Sequence, residues 1–287
     1  MFLIDFNQVA ISNFMQQVGN HTEVLEEGLL RHMILNSIRH HRSKFIDKYG
    51  EPIICSDSKK YWRRDVFPYY KANRKKDRQK SSVDWYSLFN ILSKVRDELK
   101  DNFPYKVLNI EGAQADDIIA TLIHEYHAKE ENILICSSDK DFLQLQKFKN
   151  VDQYSPIHKK FLKTDDPVLY LAEHIVKGDR GDGIPNIRSS DSTFVDDTRQ
   201  KPLNKRMMNE LVHSNENILE CPVDQSDEIK RNWDRNKLLI DLSNVPFELK
   251  TVIINNYNKY KTNDRSDLLN YFIHNKLNNL TEHIGEF

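Results

Sequence analysis

Short apolar runs punctuate the first 140 residues, and each has the length and composition of a buried parallel strand. The four runs cover residues 2–4, 52–56, 105–110 and 133–138. Between them, apolar side chains recur at helical spacing over residues 25–45, 85–95 and 115–127. This alternation predicts a doubly wound, mostly parallel α/β sheet.

The helical stretches also predict which side chains are buried and where a helix begins. In the first helix, the expected buried stripe is Leu25, Leu29, Leu30, Ile34 and Ile38. Ser81 or Ser82 is expected to cap the second helix. From residue 166 onward the pattern is helical, apart from a polar, irregular stretch over residues 189–205. We therefore divide the chain into an α/β core, residues 1–165, and a helical region, residues 166–287.

Carboxylates follow or interrupt several of the apolar runs, where folding alone gives no reason for them. Asp5, Asp57 and Asp139 each come directly after such a run. Because the carboxyl ends of the strands in an open α/β sheet form the ligand crevice, these acids are expected to converge. The full acidic set is Asp5, Asp57, Asp116, Asp139, Asp141, Asp179 and Asp182.

Carboxylates packed this closely need cations among them. Two carboxylates about 4 Å apart repel each other by roughly 4 kcal/mol at an effective dielectric constant of about 20. Magnesium is a hard cation that favours oxygen ligands, and two such ions about 4 Å apart commonly cleave phosphodiesters. The acidic set therefore predicts a metal-dependent nuclease.

The overall charge does not favour nucleic-acid binding, so charge segregation must provide it. Charged residues make up 30% of the 287-residue chain, yet the formal net charge is only -1.

Cys55, Cys136 and Cys221 are too few for a disulfide framework and suit a reducing cytoplasm. The apolar start is interrupted by Asp5 and has no basic leader, so we expect neither a signal peptide nor a membrane span.

A basic stretch follows Asp57 and supplies segregated charge. Over residues 59–80 only Asp65 and Asp77 are acidic, and aromatic residues are interleaved with the cations. The basic residues are Lys59, Lys60, Arg63, Arg64, Lys71, Arg74, Lys75, Lys76, Arg78 and Lys80. Such a run is usually a solvated helix face, but basic groups mixed with aromatic rings also suit a portal for single-stranded nucleic acid. Its position beside a proposed metal ligand favours the portal.

A glycine-rich loop over residues 177–187 is the second candidate for nucleic-acid contact. Gly178, Gly181 and Gly183 let backbone amides approach phosphate oxygens, and a helix start directly after the loop would favour anions. Taken alone, the loop also fits a plain turn between helices with acids as caps.

These motifs follow one another in a characteristic order. They are Asp5, Ser56-Asp57, Tyr70-Lys71-Ala72-Asn73-Arg74, Ala115-Asp116-Asp117, Ser138-Asp139-Lys140-Asp141 and Gly178-Asp179-Arg180-Gly181-Asp182-Gly183-Ile184-Pro185. Any one of them is weak, but together they closely resemble the flap endonuclease and 5′-exonuclease family. The compact length, Tyr61-Trp62-Arg63-Arg64-Asp65 and the final Phe287 are most similar to the bacteriophage ribonuclease H members of that family.

The resemblance implies metal ligands and phosphate contacts at the matching positions. A first Mg2+ or Mn2+ ion would be surrounded, partly through water, by Asp5, Asp57, Asp116 and Asp139. A second ion would be served, also partly through water, by Asp141, Asp179 and Asp182. Lys71 and Arg74 match arch residues of the family that meet the scissile phosphate or the displaced 5′ strand.

The resemblance also implies how the chain holds nucleic acid. Within the arch, residues 59–82, the side chains expected to contact it are Arg63, Arg64, Tyr70, Lys75 and Lys76. A helix-three-turn-helix element would hold duplex DNA by its backbone at Gly178, Gly181, Gly183 and Ile184. In family members a monovalent cation often bridges loop carbonyls and a phosphate there, so K+ is a further candidate ion.

The chain departs from the family pattern in ways that bear on activity. Gln114 stands where the family usually carries Glu before Ala-Asp-Asp, so a negative charge is missing and metal affinity or activity is expected to fall. Asn186 replaces a common glycine, and residues 188–190 replace the usual glycine and lysine, so a weaker grip on duplex is expected. Asp117 and Asp179 are each either a helix cap or a metal ligand.

The combined prediction is a PIN-like, metal-dependent 5′ nuclease. The resemblance implies a monomeric bacteriophage protein that removes RNA primers and short 5′ flaps in the host cytoplasm, with single-strand-binding protein and a sliding clamp as partners. Two alternatives stay open. One is a structure-specific DNA-binding protein with impaired cleavage, which Gln114 supports. The other is a PIN-type ribonuclease for single strands, against which the duplex-binding loop and the long arch count.

Overall fold

A six-stranded sheet forms the centre of the protein in the computed structural model, which describes residues 1–17 and 25–287. In chain order the strands are β1 (Phe2–Asp5), β2 (Pro52–Ser56), β3 (Lys106–Asn109), β4 (Ile133–Cys136), β5 (Val151–Ser155) and β6 (Lys160–Leu162). Their order across the sheet is β3-β2-β1-β4-β5-β6, with the first five parallel and β6 antiparallel to β5. The predicted mostly parallel sheet is therefore confirmed.

Helices fill most of the chain between and after the strands. They are α1 (Phe6–Gln17), α2 (Glu27–Tyr49), α3 (Arg63–Val66), α4 (Asn73–Gln79), α5 (Trp85–Asn102), α6 (Ala115–Tyr126), α7 (Pro167–Lys177), α8 (Lys205–His213), α9 (Asp227–Ile240), α10 (Phe247–Lys259), α11 (Leu268–His274) and α12 (Asn278–Thr281), with a 3-10 helix at Lys140–Lys147. Within the described residues, none of these helices is long and apolar enough to cross a membrane.

Successive residues of a strand point to opposite faces of the sheet, so two hydrophobic cores form. Phe2 and Ile4 pack on one face with α1, α2, α5 and the C-terminal residues Phe272 and Phe287. Leu3 packs on the other face with α6 and α10. Helices therefore cover both faces, as a doubly wound sheet requires.

A third core lies beside the sheet and joins the basic stretch to the helical region. Phe67 and Tyr70, from the segment between α3 and α4, pack with Ile175 of α7 and Trp233 of α9. Ile184, from the loop after α7, belongs to the same cluster. By contrast, none of the residues of α4 is buried. The basic stretch therefore has a packed base and an exposed outer helix.

Two local expectations about the helices were wrong. Asp84 caps α5, because its carboxylate accepts a hydrogen bond from the Ser87 amide at 3.1 Å; Ser81 and Ser82 do not. Leu29 is 51% exposed, since it lies roughly 100° around the helix from the buried residue that follows it.

The chain after the glycine-rich loop also differs from the prediction. No helix begins directly after residue 187; turns and irregular backbone continue instead until α8 begins at Lys205. A helix N-terminus therefore does not add its partial positive charge at the end of this loop.

Candidate active site

The acidic residues identified in the sequence collect at the carboxyl edge of the sheet. Asp5 is the last residue of β1, and Asp57 directly follows β2. Asp139 lies just beyond β4 and caps the 3-10 helix that contains Asp141. Asp116 lies in the first turn of α6. Because β1 pairs in parallel with both β2 and β4, these strand ends lie side by side.

Burial and mutual repulsion raise the pKa values of these carboxyl groups. Asp5 is 5% exposed, and burial together with the charge of Asp57 raises its pKa to about 7. The pKa values of Asp116 and Asp141 are also raised, first by burial and then by the charge of Asp139. Burial raises the pKa of Asp139 as well. The cluster therefore carries more negative charge than the neighbouring cations offset.

Hydrogen bonds from neighbouring elements orient two of the carboxylates. Asp5 accepts a hydrogen bond from the Ser137 hydroxyl at 2.9 Å and another from the backbone amide of Gln8 at 3.2 Å. Asp57 accepts one from the Ala115 amide at 2.8 Å, at the N-terminus of α6. Ser137 directly follows β4, and α6 follows β3, so the order of strands across the sheet helps to set the positions of the acids.

Asp182 pairs with the basic stretch. Its carboxylate lies 2.5 Å from Arg74 Nη2 and 3.4 Å from Lys71 Nζ. Burial raises the pKa of Asp182, but the two cations leave that pKa lowered overall. The Lys71 amide also donates a hydrogen bond to the Asp182 carbonyl at 2.7 Å. The glycine-rich loop and the basic stretch are therefore joined at this point.

Lys71 remains a cation in this setting. Burial lowers its pKa, but attraction to Asp182, Asp116 and Asp57 leaves the pKa raised. Its backbone φ is 57°, a left-handed value that is uncommon for a residue other than glycine. Such strain persists where surrounding contacts impose it, and the hydrogen bond to the loop is such a contact. A protonated amine is therefore held beside the acids.

Close approach of backbones explains two glycines of the loop. Gly183 has a φ of 73°, and a Cβ atom there would lie 2.9 Å from the Tyr69 carbonyl oxygen. Gly178 has a φ of 68°, and a Cβ atom there would overlap the Ile184 carbonyl. Glycine at position 183 therefore lets the loop pack directly against the basic stretch, and glycine at position 178 lets the loop fold back on its own backbone.

Asp117 and Arg63 form a buried ion pair behind the acidic cluster. Arg63 Nη1 lies 2.7 Å from Asp117 Oδ1, and the side chains are 2% and 0% exposed. The Asp117 carboxylate also accepts hydrogen bonds from the backbone amide of Gln114 at 2.9 Å and from the Trp62 indole at 3.2 Å. Its role as a cap of α6 is therefore confirmed, whereas a ligand role is wrong because its oxygens are already occupied inside the protein.

Tyr70 and Gln114 belong to the same interior network. The Tyr70 hydroxyl lies 2.6 Å from Asp182 Oδ2 and 3.0 Å from Gln114 Oε1, and it donates to one of them at a time. Tyr70 is 2% exposed and Gln114 is 1% exposed. The predicted contact of Arg63 and Tyr70 with nucleic acid is wrong, because neither side chain reaches the surface.

The outer basic residues face an opening to the acids. Arg64 and Lys75 are exposed, and with Lys71 and Arg74 they line a cavity of about 500 Å3 that reaches Asp57. Lys76 instead lines a neighbouring cavity of about 660 Å3, where its amine pairs with Asp197 at 2.7 Å. The basic stretch thus walls one side of the approach to the carboxylates.

Sequence analysis missed one residue of the site, His174, which lies in the last turn of α7. Its Nδ1 atom is 3.5 Å from Asp141 Oδ1, and its Nε2 atom is 3.6 Å from Asp179 Oδ2. The donor atoms of these three residues lie within 4.8 Å of one another, an arrangement that could hold a metal ion. The available signal was its place on the helix that leads into the acidic loop.

Comparison with known proteins places the whole chain in one family. A family model described as 5′-3′ exonuclease, N-terminal resolvase-like domain, matches residues 1–173, and one described as T4 RNase H, C terminal, matches residues 166–287. Ribonuclease H of Enterobacteria phage T4 is 35% identical over 294 residues, which cover 99% of this chain and 95% of that protein. The resemblance inferred from the motifs is therefore confirmed.

Two further matches agree with this placement. The 5′-3′ exonuclease of Buchnera aphidicola is 34% identical over 144 residues, which cover 47% of each protein. The solved structure of the bacteriophage T5 flap endonuclease, a complex with DNA and metal ions, matches with a TM-score of 0.64 at 17% identity, covering 90% of this chain and 99% of that one. At that identity the structural match shows the fold. By its motifs, its fold and its similarity along the whole length to the T4 enzyme, the chain belongs to the 5′-3′ exonuclease family.

Proposed function

We propose that this protein is a divalent-metal-dependent 5′ nuclease that removes RNA primers and short 5′ flaps from duplex DNA. The observation that carries the proposal is the cluster of buried carboxylates with raised pKa values beside the protonated Lys71. Family membership supports the reaction class, and relatives named ribonuclease H and flap endonuclease support the substrates. Such a reaction belongs at replication forks, where single-strand-binding protein and a sliding clamp are the proposed partners.

The donor set fits Mg2+ or Mn2+, because carboxylate oxygens are the ligands that these hard ions prefer. We assign one ion to Asp5, Asp57, Asp116 and Asp139. A second is assigned to Asp141, Asp179 and Asp182, with Asp182 acting through water since Lys71 and Arg74 already pair with it. When bound, such ions stabilise the charge of the reacting phosphate and make water a better nucleophile.

The basic residues have a separate task in the proposed reaction. Lys71 and Arg74 cannot bind a metal ion, but their charges can bind and orient the scissile phosphate. Arg64 and Lys75, which are exposed along the same opening, would follow the displaced strand. The 5′ strand is therefore proposed to reach the acids through the cavity that these side chains line.

The glycine-rich loop is proposed to hold duplex DNA through its backbone. The carbonyls of Arg180 and Gly181 already accept hydrogen bonds from Asn73 at 2.8 Å and Arg74 at 3.0 Å. Each keeps a second lone pair. We therefore propose that K+ joins this loop together with a DNA phosphate, which supplies further oxygen ligands.

The environment of Gln114 argues against the rival proposal of a DNA-binding protein with impaired cleavage. Its side-chain oxygen lies 3.0 Å from the Tyr70 hydroxyl and accepts a longer bond from Arg63 at 3.4 Å. The amide oxygen therefore lies among interior hydrogen-bond donors, at the position where the family usually carries a carboxylate. The buried carboxylates on the strand ends remain available to metal ions.

Cleavage of a labelled 5′-flap duplex, with Mg2+ and with a chelator, tests the proposed function. A short 5′ product that appears only with metal is the expected result. Binding of the flap without cleavage would favour the DNA-binding protein. Cleavage confined to single-stranded RNA would favour the PIN-type ribonuclease.

Replacing Lys71 with alanine should slow single-turnover cleavage about 100-fold, the usual scale for losing one charge-stabilising group. The Mg2+ concentration for half-maximal rate should change little, because an amine is not a metal ligand. Lys159→Ala is the matched control, since Lys159 is exposed and has a similar left-handed φ of 53°. Equal rates for the two variants would show that the basic stretch is only a solvated face.

Mg2+ should stabilise the protein more at pH 8 than at pH 5. The pKa of Asp5 is about 7 in the folded protein, against 3.8 as its ordinary value. Between these values the folded state holds a proton that the unfolded state has lost, so metal-free stability falls as the pH rises. Bound cations stabilise the ionised carboxylates and so offset this loss of stability. At about a hundredfold excess over Kd, Mg2+ should raise the Tm by roughly 5–10 °C at pH 8. Thermal unfolding with Mg2+ and with a chelator measures both values, and an equal rise at the two pH values would contradict the expectation.

A further inference from the structure

The imidazole of His174 stands between two carboxylates that come from different parts of the chain. Asp141 belongs to the 3-10 helix after β4, and Asp179 begins the turn after α7. The separations from the ring nitrogens to these carboxylates are 3.5 and 3.6 Å. Both are longer than the roughly 2.7–2.9 Å of a charge-assisted hydrogen bond. The ring is therefore close to both acids without a short bond to either.

One nitrogen of this ring lacks a partner within the described part of the chain. His174 Nδ1 is buried and makes no hydrogen bond there. The side chain is 14% exposed, and its ring lies edge-on to the Tyr170 ring with centroids 5.8 Å apart. A buried nitrogen left without a partner destabilises the folded protein, because it loses its hydrogen bonds to water. The arrangement is therefore incomplete, and a bound group would complete it.

The separations fit a metal ion. Ligands about 2.1 Å from a tetrahedral ion lie about 3.4 Å from one another, close to the separation between either ring nitrogen and the carboxylate that faces it. One donor atom from each of the three residues lies within 4.8 Å of the other two. Whichever nitrogen binds the ion, the other faces a carboxylate, the arrangement that commonly orients a metal-binding histidine. Tyr170, Asp139 and Lys140 are further neighbours around the same opening. The site is open enough for an ion and water to enter.

We propose that His174 is a nitrogen ligand which, with Asp141 and Asp179, makes a metal site that prefers transition ions such as Co2+ or Zn2+ to Mg2+. An imidazole suits these ions, whereas Mg2+ favours sites built of oxygen alone. The inference rests on the proposed function only in sharing two acids with the second metal position. It adds a ligand of this chain and a metal preference that oxygen ligands alone would not give.

Metal binding to His174→Gln tests the site, because glutamine keeps a polar side chain of similar length without an imidazole. Calorimetric titration of the metal-free protein should show Co2+ binding weakened at least tenfold, with Mg2+ binding changed less than threefold. His274→Gln is the matched control, since His274 is exposed on α11. Unchanged Co2+ binding, or equal losses for both metals, would overturn the proposal.

A second measurement covers the case in which the variant folds poorly. Pulsed electron paramagnetic resonance of Mn2+ bound to the unaltered protein should detect a coupled imidazole nitrogen, and its absence would also overturn the proposal. Flap cleavage with Mg2+ separates this outcome from the proposed nuclease. A protein that binds Co2+ through His174 but cuts no flap would refute the nuclease alone. A protein that cuts flaps with an intact Mg2+ response but shows no nitrogen ligand would refute only the proposal that His174 is a metal ligand.

Discussion

Replacing Asp139 with asparagine should lower flap cleavage roughly 1000-fold while leaving the fold intact. The carboxylate of Asp139 caps the 3-10 helix by accepting a hydrogen bond from the Asp141 amide at 3.0 Å. Asparagine caps as well as aspartate does, so the local structure should persist. What is lost is one negative charge among Asp5 and Asp116, where the proposed metal binds. Single-turnover cleavage of a flap at saturating Mg2+ measures the effect, whose scale matches the loss of a strong electrostatic contribution.

Asp139→Asn should lower activity without lowering the stability of the metal-free protein. Because a buried charge is removed from a repulsive cluster, metal-free Asp139→Asn should be at least as stable as the unaltered protein. Asp165→Asn is a suitable control, since Asp165 is exposed just before α7. Normal turnover by Asp139→Asn in Mg2+, with Asp165→Asn also normal, would refute the role of the acidic cluster in catalysis.

The acidic centre could be predicted because its signals are local. Asp5 and Asp57 directly follow runs too apolar to be anything but buried strands, and parallel strands of an open sheet end on the same edge. That rule needs no knowledge of which strand pairs with which. The helical spacing of apolar residues over 115–127 was an equally local signal, and Ile118, Leu122 and Ile123 of α6 are fully buried.

The roles of the interior polar residues could not be predicted in the same way. Arg63 lies in a basic stretch, and the composition of that stretch suggested exposure to solvent and contact with nucleic acid. Its partner Asp117 is 54 residues away, on a helix whose packing against α3 no local pattern specifies. The family resemblance therefore implied that Arg63 contacts nucleic acid, whereas the three-dimensional packing buries its side chain.

Long-range packing also determines where the C-terminal region lies. Its helical pattern was visible, but the sequence did not show that Phe272 and Phe287 would join the core beneath β1. His174 was missed for a related reason. A single histidine on an apolar helix is usually a packing residue, and only the docking of α7 against the 3-10 helix brings it to Asp141. Amphipathic spacing predicts that a helix packs, but not against which surface.

Replacing Arg63 with methionine should destabilise the protein by about 3–5 kcal/mol, the scale for removing one partner of a buried ion pair. Burial lowers the pKa of Arg63, but the charge of Asp117 leaves that pKa raised, so the guanidinium is charged. Methionine fills much of the same volume but leaves Asp117 as a buried anion without its cation. It also removes the hydrogen bond from Arg63 Nε to the Leu239 carbonyl, at 2.9 Å, near the end of α9.

The neighbouring arginine provides the control for this prediction. Arg64 is exposed, and its guanidinium carbon lies 4.7 Å from the centre of the Tyr61 ring. Arg64→Met should therefore cost no more than about 1 kcal/mol, the scale for an exposed cation–π contact. Denaturant unfolding of both variants measures the difference. Adding Asp117→Asn to Arg63→Met should recover part of the loss, because the unpaired charge is then gone. Equal small losses for Arg63→Met and Arg64→Met would show that the buried pair does not hold the base of the basic stretch to the core.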